Sequence, residues 1–422
     1  MPNDQLLRDT ITLLQHEFWA PIPRKSFTPR LHISPPIPDK IFVAAGMRRT
    51  GKTTYLRHLA HNLIAEGTQK ESMLWVSFED DRLERITEQT IGELVKTFYS
   101  LYPENHSRTV HLFLDEIQVV PQWERTIRRL FDTKDIRIFL TGSSSALLSR
   151  EIGTALRGRS LLSEVWPYSF REYLLALNHK FDPRCPPGSK PFDLQTEWLK
   201  QFLFCGGFPE VLRVDRTTRA RILQEYRDVV IFRDIVERYK VTNLSLLRYL
   251  VKSTLFQPGR SFAVHKFTND CKSQGLAVSK NTVHEYLHYL ESCYLVFPVS
   301  LYSDSLRKQQ VNPKKLYAID TGMASPLVST EGWDIGHLFE NLVYLDLRRE
   351  GFEPFYYQTR SGYEVDFLAF HPSGKKRLIQ VCFDTSQKET LERETRALRE
   401  AEEELQMRGE LIDGAGYFRG CP

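Results

Sequence analysis

Ile41-Phe-Val-Ala-Ala-Gly46-Met47-Arg48-Arg49-Thr50-Gly51-Lys52-Thr53-Thr54 is the stretch on which the reading of this chain turns. An apolar run, 41–45, leads into a match to GxxxxGK[ST] without a mismatch, and a helical segment from Thr53 to Ala65 follows. The residue types have physical reasons. Gly46 and Gly51 let the backbone curl until its N–H groups face phosphate oxygens, at φ values that a Cβ would penalise. The helix that follows presents its first N–H groups and the positive end of its dipole to the same anion. Lys52 is expected to reach the β- and γ-phosphates, and the Thr53 hydroxyl to bind Mg²⁺. The whole segment, Gly46, Met47, Arg48, Arg49, Thr50, Gly51, Lys52, Thr53 and Thr54, is therefore the expected nucleotide cradle, with ATP the expected ligand.

Working outward, short apolar runs alternate with amphipathic segments: MLWVSF (73–78), VHLFLD (110–115), IRIFLT (136–141) and LLSEVW (161–166). Runs this short, rich in β-branched and aromatic residues, predict strands of a parallel sheet covered by helices on both faces, so the fold class is α/β. VHLFLD ends in Asp115-Glu116. Two acids at the tip of a buried strand are costly unless a cation or a wet site receives them. Asp115 suits magnesium, and Glu116 suits the polarising of an attacking water. The next strand is expected beside the P-loop strand and ends in Thr141-Gly-Ser143-Ser144-Ser145. Ser143 or Ser144 is placed to touch the γ-phosphate or the water; a helix cap by Ser144 or Ser145 explains the same residues equally well. Arg157 and Arg159 are candidates for an arginine finger, in cis or from a neighbour, with ordinary surface arginines as the alternative.

The 422 residues suggest several domains, and 41% hydrophobic with 26% charged residues describe an ordinary globular composition. A net charge of +4 is too small to identify a nucleic-acid binder by itself. Six cysteines without a CxxC pair argue against a zinc site or a disulfide framework and fit a reducing cytosol. No apolar run approaches the length of a membrane span, and the first residues lack the basic start and apolar core of a secretion signal, so a cytoplasmic protein with no membrane contact is expected. Leu6, Leu7, Ile11, Leu13 and Leu14 are expected on one side of an N-terminal helix, which a proline-rich connector, Pro21 to Pro38, joins to the core.

Taken together, GMRRTGKTTYL, FLDEIQ with Trp123, TGSSSALLS, LRGRS, WPYSFREYL, FCGGFPEV, KLYAIDTGM, LFENLVYLDLRR and YEVDFLAF resemble the predicted prokaryotic ATPases of the AAA+ type. The resemblance runs over nearly the whole chain. It implies an AAA+-like sheet with ATPase activity, followed by a winged helix and a nuclease-like fold of unknown function. The resulting division is 1–38 for the N-terminal helix and connector, 39–166 for the ATPase core and 167–242 for a helical, lid-like region. A winged helix at 243–325 and a nuclease-like α/β domain at 326–422 complete it.

In the C-terminal half, LAVSKNTVHEYLHYLESCYLVFPVSLY reads as a helix–turn–helix with a wing, Ser279 capping a helix whose Val283, Tyr286, Leu287 and Leu290 share a face. In DNA binding, Lys280, Asn281 and His284 would face the major groove, and Arg307, Lys308, Lys314 and Lys315 the phosphates. A protein-contact module or a spacer is the alternative. Glu340, Asp366 and the strand LIQVCF are similar to a restriction-endonuclease-type core, in which a helix glutamate, a strand aspartate and an ExK on the next strand hold magnesium. Glu364 stands beside Asp366, but the ExK position reads Gln380-Val-Cys382, without the lysine that stabilises developing negative charge. An inactive or altered nuclease fold is expected, used for binding or assembly. Lys375, Lys376 and Lys388 are near in sequence, but no spacing rule places them in the site.

The leading expectation is thus an ATPase that couples nucleotide state to a C-terminal module for DNA or a partner, either a protein or a second copy of the chain. A nucleotide-dependent regulatory switch with slow hydrolysis is the second reading. An ATP-dependent nuclease with a migrated lysine is the third.

Overall fold

The computed structural model describes residues 2–19, 28–83, 85–142, 154–324 and 335–421, in two compact units, Met1–Val165 and Trp166–Pro422. In the first unit, β1 (Ile41–Ala45), β2 (Met73–Ser77), β3 (Val110–Asp115), β4 (Ile136–Gly142) and β5 (Ser160–Glu164) form a parallel sheet in the order β2-β3-β4-β1-β5. β1 and β3 are buried at every position, as a sheet covered on both faces requires. Alternate side chains feed two cores. Ile41, Val43, Leu74, Leu112 and Leu140 enter one, while Phe42, Trp75, Phe113 and Phe139 enter the other. Phe113 and Phe139 stack across neighbouring strands with centroids 4.5 Å apart. Each such side chain contributes about 1.5–3 kcal/mol through burial.

Helices α1 (Pro2–Phe18), α2 (Lys52–Ala65), α3 (Thr90–Leu101) and α4 (Trp123–Thr133) belong to this unit. The expected face of α1 needs correction. Ile11, Leu14 and Phe18 are buried, but Leu6 and Leu13 are about half exposed. The stripe runs Ile11, Leu14, Phe18 at i, i+3, i+7, so Leu13 falls outside it. Phe18 lies on Trp75, centroids 4.2 Å apart, and the Gln15 amide donates to the Trp75 carbonyl at 3.1 Å.

The second unit opens with helices α5 (Phe170–Ala176), α6 (Lys190–Cys205) and α7 (Arg216–Val229), the last running into a π-helical segment, Val230–Glu237. Three more helices follow, α8 (Leu244–Leu255), α9 (Val264–Ser273) and α10 (Lys280–Ser292). They accompany an antiparallel sheet, β6 (Ser261–Phe262), β8 (Lys314–Ala318) and β7 (Val296–Val299), in that order. Ser279 caps α10 by accepting from the Thr282 N–H at 3.1 Å, and Val283, Tyr286, Leu287 and Leu290 are buried together on its inner face. Between β7 and β8 lies α11 (Leu306–Val311), with Leu306 and Val311 exposed.

A mixed sheet, β12 (Gly409–Ile412), β11 (Lys376–Val381), β10 (Glu364–Phe370) and β9 (Glu353–Gln358), completes the unit together with α12 (Ile335–Arg349) and α13 (Lys388–Leu405). β10 is antiparallel to both neighbours, whereas β11 and β12 are parallel. Two ties hold the small sheet in place, one from the helix Ile335–Arg349 and one from β9. The Asn341 side chain brackets Ala318 at the end of β8, accepting from its N–H at 2.7 Å and donating to its carbonyl at 3.1 Å. Beyond β7, Tyr302 and Ser300 exchange backbone hydrogen bonds with Tyr356 on β9.

The motifs FCGGFPE and YAIDTGM meet as a packing device. Asp320, 3% exposed, accepts from the N–H groups of Gly207 and Met323 at 2.6 and 3.0 Å. A Cβ on Gly206, which has φ 72°, would lie 2.0 Å from the Asp320 carboxylate, so only glycine fits there.

Candidate nucleotide site and a C-terminal ion cluster

The loop Gly46–Gly51 leaves β1 at its C-terminal end and enters α2, which Gly51 precedes in a left-handed conformation with φ 96°. A Cβ on Gly46 would lie 2.4 Å from the Val165 carbonyl oxygen, so the loop requires glycine for space as well as for conformation. Arg49 has φ 68°, an uncommon conformation for a residue with a Cβ. Met47 and Thr50 are fully buried, the Thr50 hydroxyl donating to the Met47 carbonyl at 3.0 Å. Lys52, 4% exposed, donates from Nζ to the carbonyls of Gly46 and Met47 at 3.1 and 3.0 Å. Its ammonium therefore sits within the curl of the loop. Thr54 is exposed, and Arg48 forms an ion pair with Glu79 at 2.9 Å.

Asp115, at the end of β3, receives the Thr53 hydroxyl on both carboxylate oxygens at 3.0 and 3.1 Å. Thr141, at the end of β4, donates its hydroxyl to Asp115 and accepts the Glu116 N–H at 3.0 Å. Parallel register puts these groups together: β1, β3 and β4 are adjacent, and their C-terminal ends carry the P-loop, the acid pair and Thr141. Burial pushes the Asp115 carboxyl up to about 6, against the hydrogen bonds from Thr141 and Thr53. A carboxylate held by hydroxyls, in a place where its charge is costly, fits a magnesium ion with Thr53 alongside. Glu116 is buried with φ 53°, and the Gln118 amide donates to its Oε2.

Thr141, Gln118 and Arg30 were not singled out from sequence. Arg30 donates to the Thr50 carbonyl at 3.0 Å from within the connector. Only the position of Thr141 at a strand tip next to β1 and β3 signals its role, and that adjacency is a property of the sheet. Ser143, Ser144 and Ser145 lie outside the described residues. Arg157 and Arg159 do not join the site. They precede β5, and the Arg159 carbonyl accepts the Ile41 N–H at the start of β1, the end of the strand opposite the P-loop. Arg159 is paired with Asp132 at 2.7 and 3.0 Å.

In the second unit Lys280, Asn281 and His284 are exposed on the first turns of α10, and Arg307 and Lys308 are exposed on α11. Lys315 departs from the expectation that it faces phosphates. It is 3% exposed, and its Nζ lies 2.8 Å from Glu340, 2.9 Å from Glu364 and 2.9 Å from Asp366. On β8 it points the same way as Tyr317, whose hydroxyl donates to Glu340 Oε1 at 2.7 Å. The other oxygen of Asp366 accepts the Val381 N–H at 2.9 Å. Gln380 brings no ligand: its Oε1 accepts the Asp366 N–H at 3.3 Å and its amide donates to Glu394. Glu340 and Asp366 thus do come together, and a lysine does stand with them, from another part of the chain. Burial alone would discharge Lys315, but Asp366, Tyr317 and the glutamates keep its pKa well above the ordinary lysine value. Burial would push Glu340 up; Lys315 outweighs it and holds that carboxyl low. The cluster opens onto a cavity of about 570 Å³ that His337, Arg393 and Glu394 also line. Among the described residues no group of three His, Cys, Asp or Glu side chains is arranged to hold a metal ion, and no helix is long and apolar enough to cross a membrane.

Residues 38–174 match the model of a family described as an AAA domain, and residues 196–334 and 335–414 match two described as domains of unknown function, DUF8612 and DUF4143. The uncharacterized protein MJ1544 of Methanocaldococcus jannaschii is 36% identical over 375 residues, which are 88% of this chain and 80% of that one. An uncharacterized protein of Haemophilus influenzae is 26% identical over 82% of this chain and 83% of its own length. Among solved structures, the Walker-type ATPase PABY2304 of Pyrococcus abyssi is similar with a TM-score of 0.43 and 14% identity, over 67% of this chain and 89% of that one. The ORC1 protein of Aeropyrum pernix in complex with DNA is similar with a TM-score of 0.28 and 14% identity, over 74% of this chain and 88% of that one.

Proposed function

The chain belongs to the same family as its M. jannaschii relative, a family of AAA+-type P-loop ATPases with C-terminal domains of unknown function, and from this premise we propose that it binds and hydrolyses ATP. The observation that carries the proposal is the meeting of Lys52, Thr53, Asp115 and Glu116 at one end of the parallel sheet. Gly46–Thr54 wraps the phosphates with its N–H groups, and Lys52 leaves its carbonyl partners for phosphate oxygen. Thr53 and Asp115 would hold magnesium, which would supply positive charge against the phosphate oxygens. Glu116 accepts a proton from the attacking water, and Thr141 fixes the acid pair through its two hydrogen bonds. An arginine finger from Arg157 or Arg159 would have to reach the site of a neighbouring molecule.

We further propose that nucleotide state is coupled to a C-terminal module that contacts DNA or a protein partner. The support is the succession of α9, α10, β7 and β8, which we read as a helix–turn–helix with a wing, and the exposure of Lys280, Asn281, His284, Arg307 and Lys308. ATP turnover measured with DNA, with RNA and with neither tests this coupling. Stimulation by DNA that Lys280→Glu removes supports it; turnover indifferent to DNA favours the slow regulatory switch. The nuclease-like fold of the C-terminal sheet is proposed to serve binding or assembly, since its lysine pairs with the acids and Gln380 is engaged by protein partners.

A further inference from the structure

A centre of the restriction-endonuclease type is expected to gather its acids around a divalent cation, and the residues present here do not fit one. Glu340, Glu364 and Asp366 each bring an oxygen within 2.8–2.9 Å of a single point, and that point is the Lys315 nitrogen. We propose that Lys315 serves as the built-in cation of this centre and takes the position that a divalent ion would need, so that the C-terminal domain works without metal. The inference rests on reading that domain as a nuclease-type fold turned to another use.

Three observations carry it independently of the family. The first is convergence. Glu340 and Asp366 are both buried, so the repulsion between them is costly, and a cation at the point they share with Glu364 relieves it. The second is saturation. Glu340 Oε1 also receives the Tyr317 hydroxyl, and Asp366 uses its second oxygen on the Val381 N–H. Gln380, the residue that would supply a further oxygen, spends it on the Asp366 N–H. The third is support. Asn341 clamps the end of β8 through both polar groups of Ala318, and a Cβ on Gly259 would lie 2.7 Å from Glu340 Oε2. Backbone and side chains are thus fitted closely about the ammonium. Magnesium needs oxygens at about 2.0–2.1 Å and calcium at about 2.3–2.6 Å. The carboxylate oxygens stand 2.8–2.9 Å from the ammonium, wider than either shell, and the ammonium fills the point they share.

The arrangement also explains a placement that sequence spacing does not. Lys315 comes from the strand before the domain whose acids it neutralises, and β8 belongs to the small sheet beside the helix–turn–helix. The ammonium therefore pins that sheet to the mixed sheet at the acid centre. A metal ion in the same position would satisfy the acids but leave β8 without this tie.

The test is Mn²⁺ binding to the full, nucleotide-free chain, read by electron paramagnetic resonance of free Mn²⁺, with Asp366→Asn as the reference that removes one acid. The wild type should bind no Mn²⁺ that Asp366→Asn abolishes, at concentrations up to the millimolar range. Lys315→Met should gain one Mn²⁺ per chain, at least tenfold tighter, lose it again in the Lys315→Met/Asp366→Asn double variant, and melt at a higher temperature when Mn²⁺ is added. Wild-type binding of one Mn²⁺ sensitive to Asp366→Asn overturns the proposal, as does a folded Lys315→Met that binds no more than wild type. Should Lys315→Met fail to fold, the wild-type titration decides alone in the same two directions. Plasmid DNA with Mn²⁺ in the same samples separates the two readings. Binding without cleavage overturns the built-in cation only, whereas cleavage lost in Asp366→Asn overturns the non-nuclease reading as well.

Discussion

Two groups of acids in this molecule, each with a buried pair at its heart, have been given opposite electrostatic solutions. At the end of β3, Asp115 is met by hydroxyls, those of Thr53 and Thr141, while the nearby Lys52 spends its hydrogen bonds on backbone carbonyls. In the second unit Glu340, Glu364 and Asp366 are met by an ammonium directly. The first arrangement leaves the charge of Asp115 poorly compensated, which is why burial raises its carboxyl to about 6. A site in that condition gains by receiving a cation together with the phosphates that bring it. The second is already neutralised in part, and it gains rigidity where the first gains reactivity. Residues with the same chemistry, a lysine and a few carboxylates, thus divide between a site awaiting ligand and a joint between sheets.

The comparison can be broken most severely through the two lysines. Lys52→Ala should lower ATP turnover by about 10²–10³-fold, the scale of removing one donor to a charged transition state, and cost less stability than the loss of Lys315, since its partners are carbonyls and not carboxylates. Lys315→Met should cost more stability, since removing one member of a buried ion cluster costs about 3–5 kcal/mol. Calorimetry on both variants checks the contrast; equal stability losses would dissolve it.

A smaller effect sharpens the electrostatic half. Because the folded chain raises the Asp115 carboxyl from its ordinary value to about 6, the folded state holds that proton more tightly than the unfolded chain between about pH 4 and pH 6. The stability of the nucleotide-free protein therefore falls as pH rises through that window, by an amount of order 2–3 kcal/mol from this group. Asp115→Asn should remove this part of the slope, and parallel melting curves against pH for the two proteins would contradict it. The smallest change concerns Gln118, which donates to Glu116 Oε2. Gln118→Ala should alter the turnover number a few-fold and leave the Michaelis constant for ATP nearly unchanged, because it touches the base and not the cradle. A changed Michaelis constant with constant turnover would assign Gln118 to binding.

The legible and illegible parts of the chain divide along the same line. β1 and β3 match the runs IFVAA and VHLFLD residue for residue, because the middle strands of a covered parallel sheet are apolar without interruption. The loop Gly46–Thr53 was equally plain, since a phosphate cradle is built from consecutive residues. Lys315 was not. It stands in a run of basic and polar residues that reads as a surface turn, and its partner acids lie 25 to 51 positions further on, so nothing local marks it as buried. β12 escaped as well: its short GELI segment is only partly buried and has no alternation to read. The inner face of α1 cannot be found from its leucines alone, because Thr10 and Gln15 share the buried side with Ile11 while Leu6 and Leu13 are exposed.

The central claim is that the acid pair behind the P-loop hydrolyses nucleotide rather than merely holding it. Single-turnover ATP hydrolysis by Glu116→Gln, measured beside equilibrium ATP binding on the same sample, tests it most directly. The predicted result is binding within a few-fold of wild type and a hydrolysis rate lower by about 10²–10⁴-fold, the usual worth of a general base. Hydrolysis at the wild-type rate in a variant that binds ATP normally would contradict the account and take Glu116 out of the chemistry.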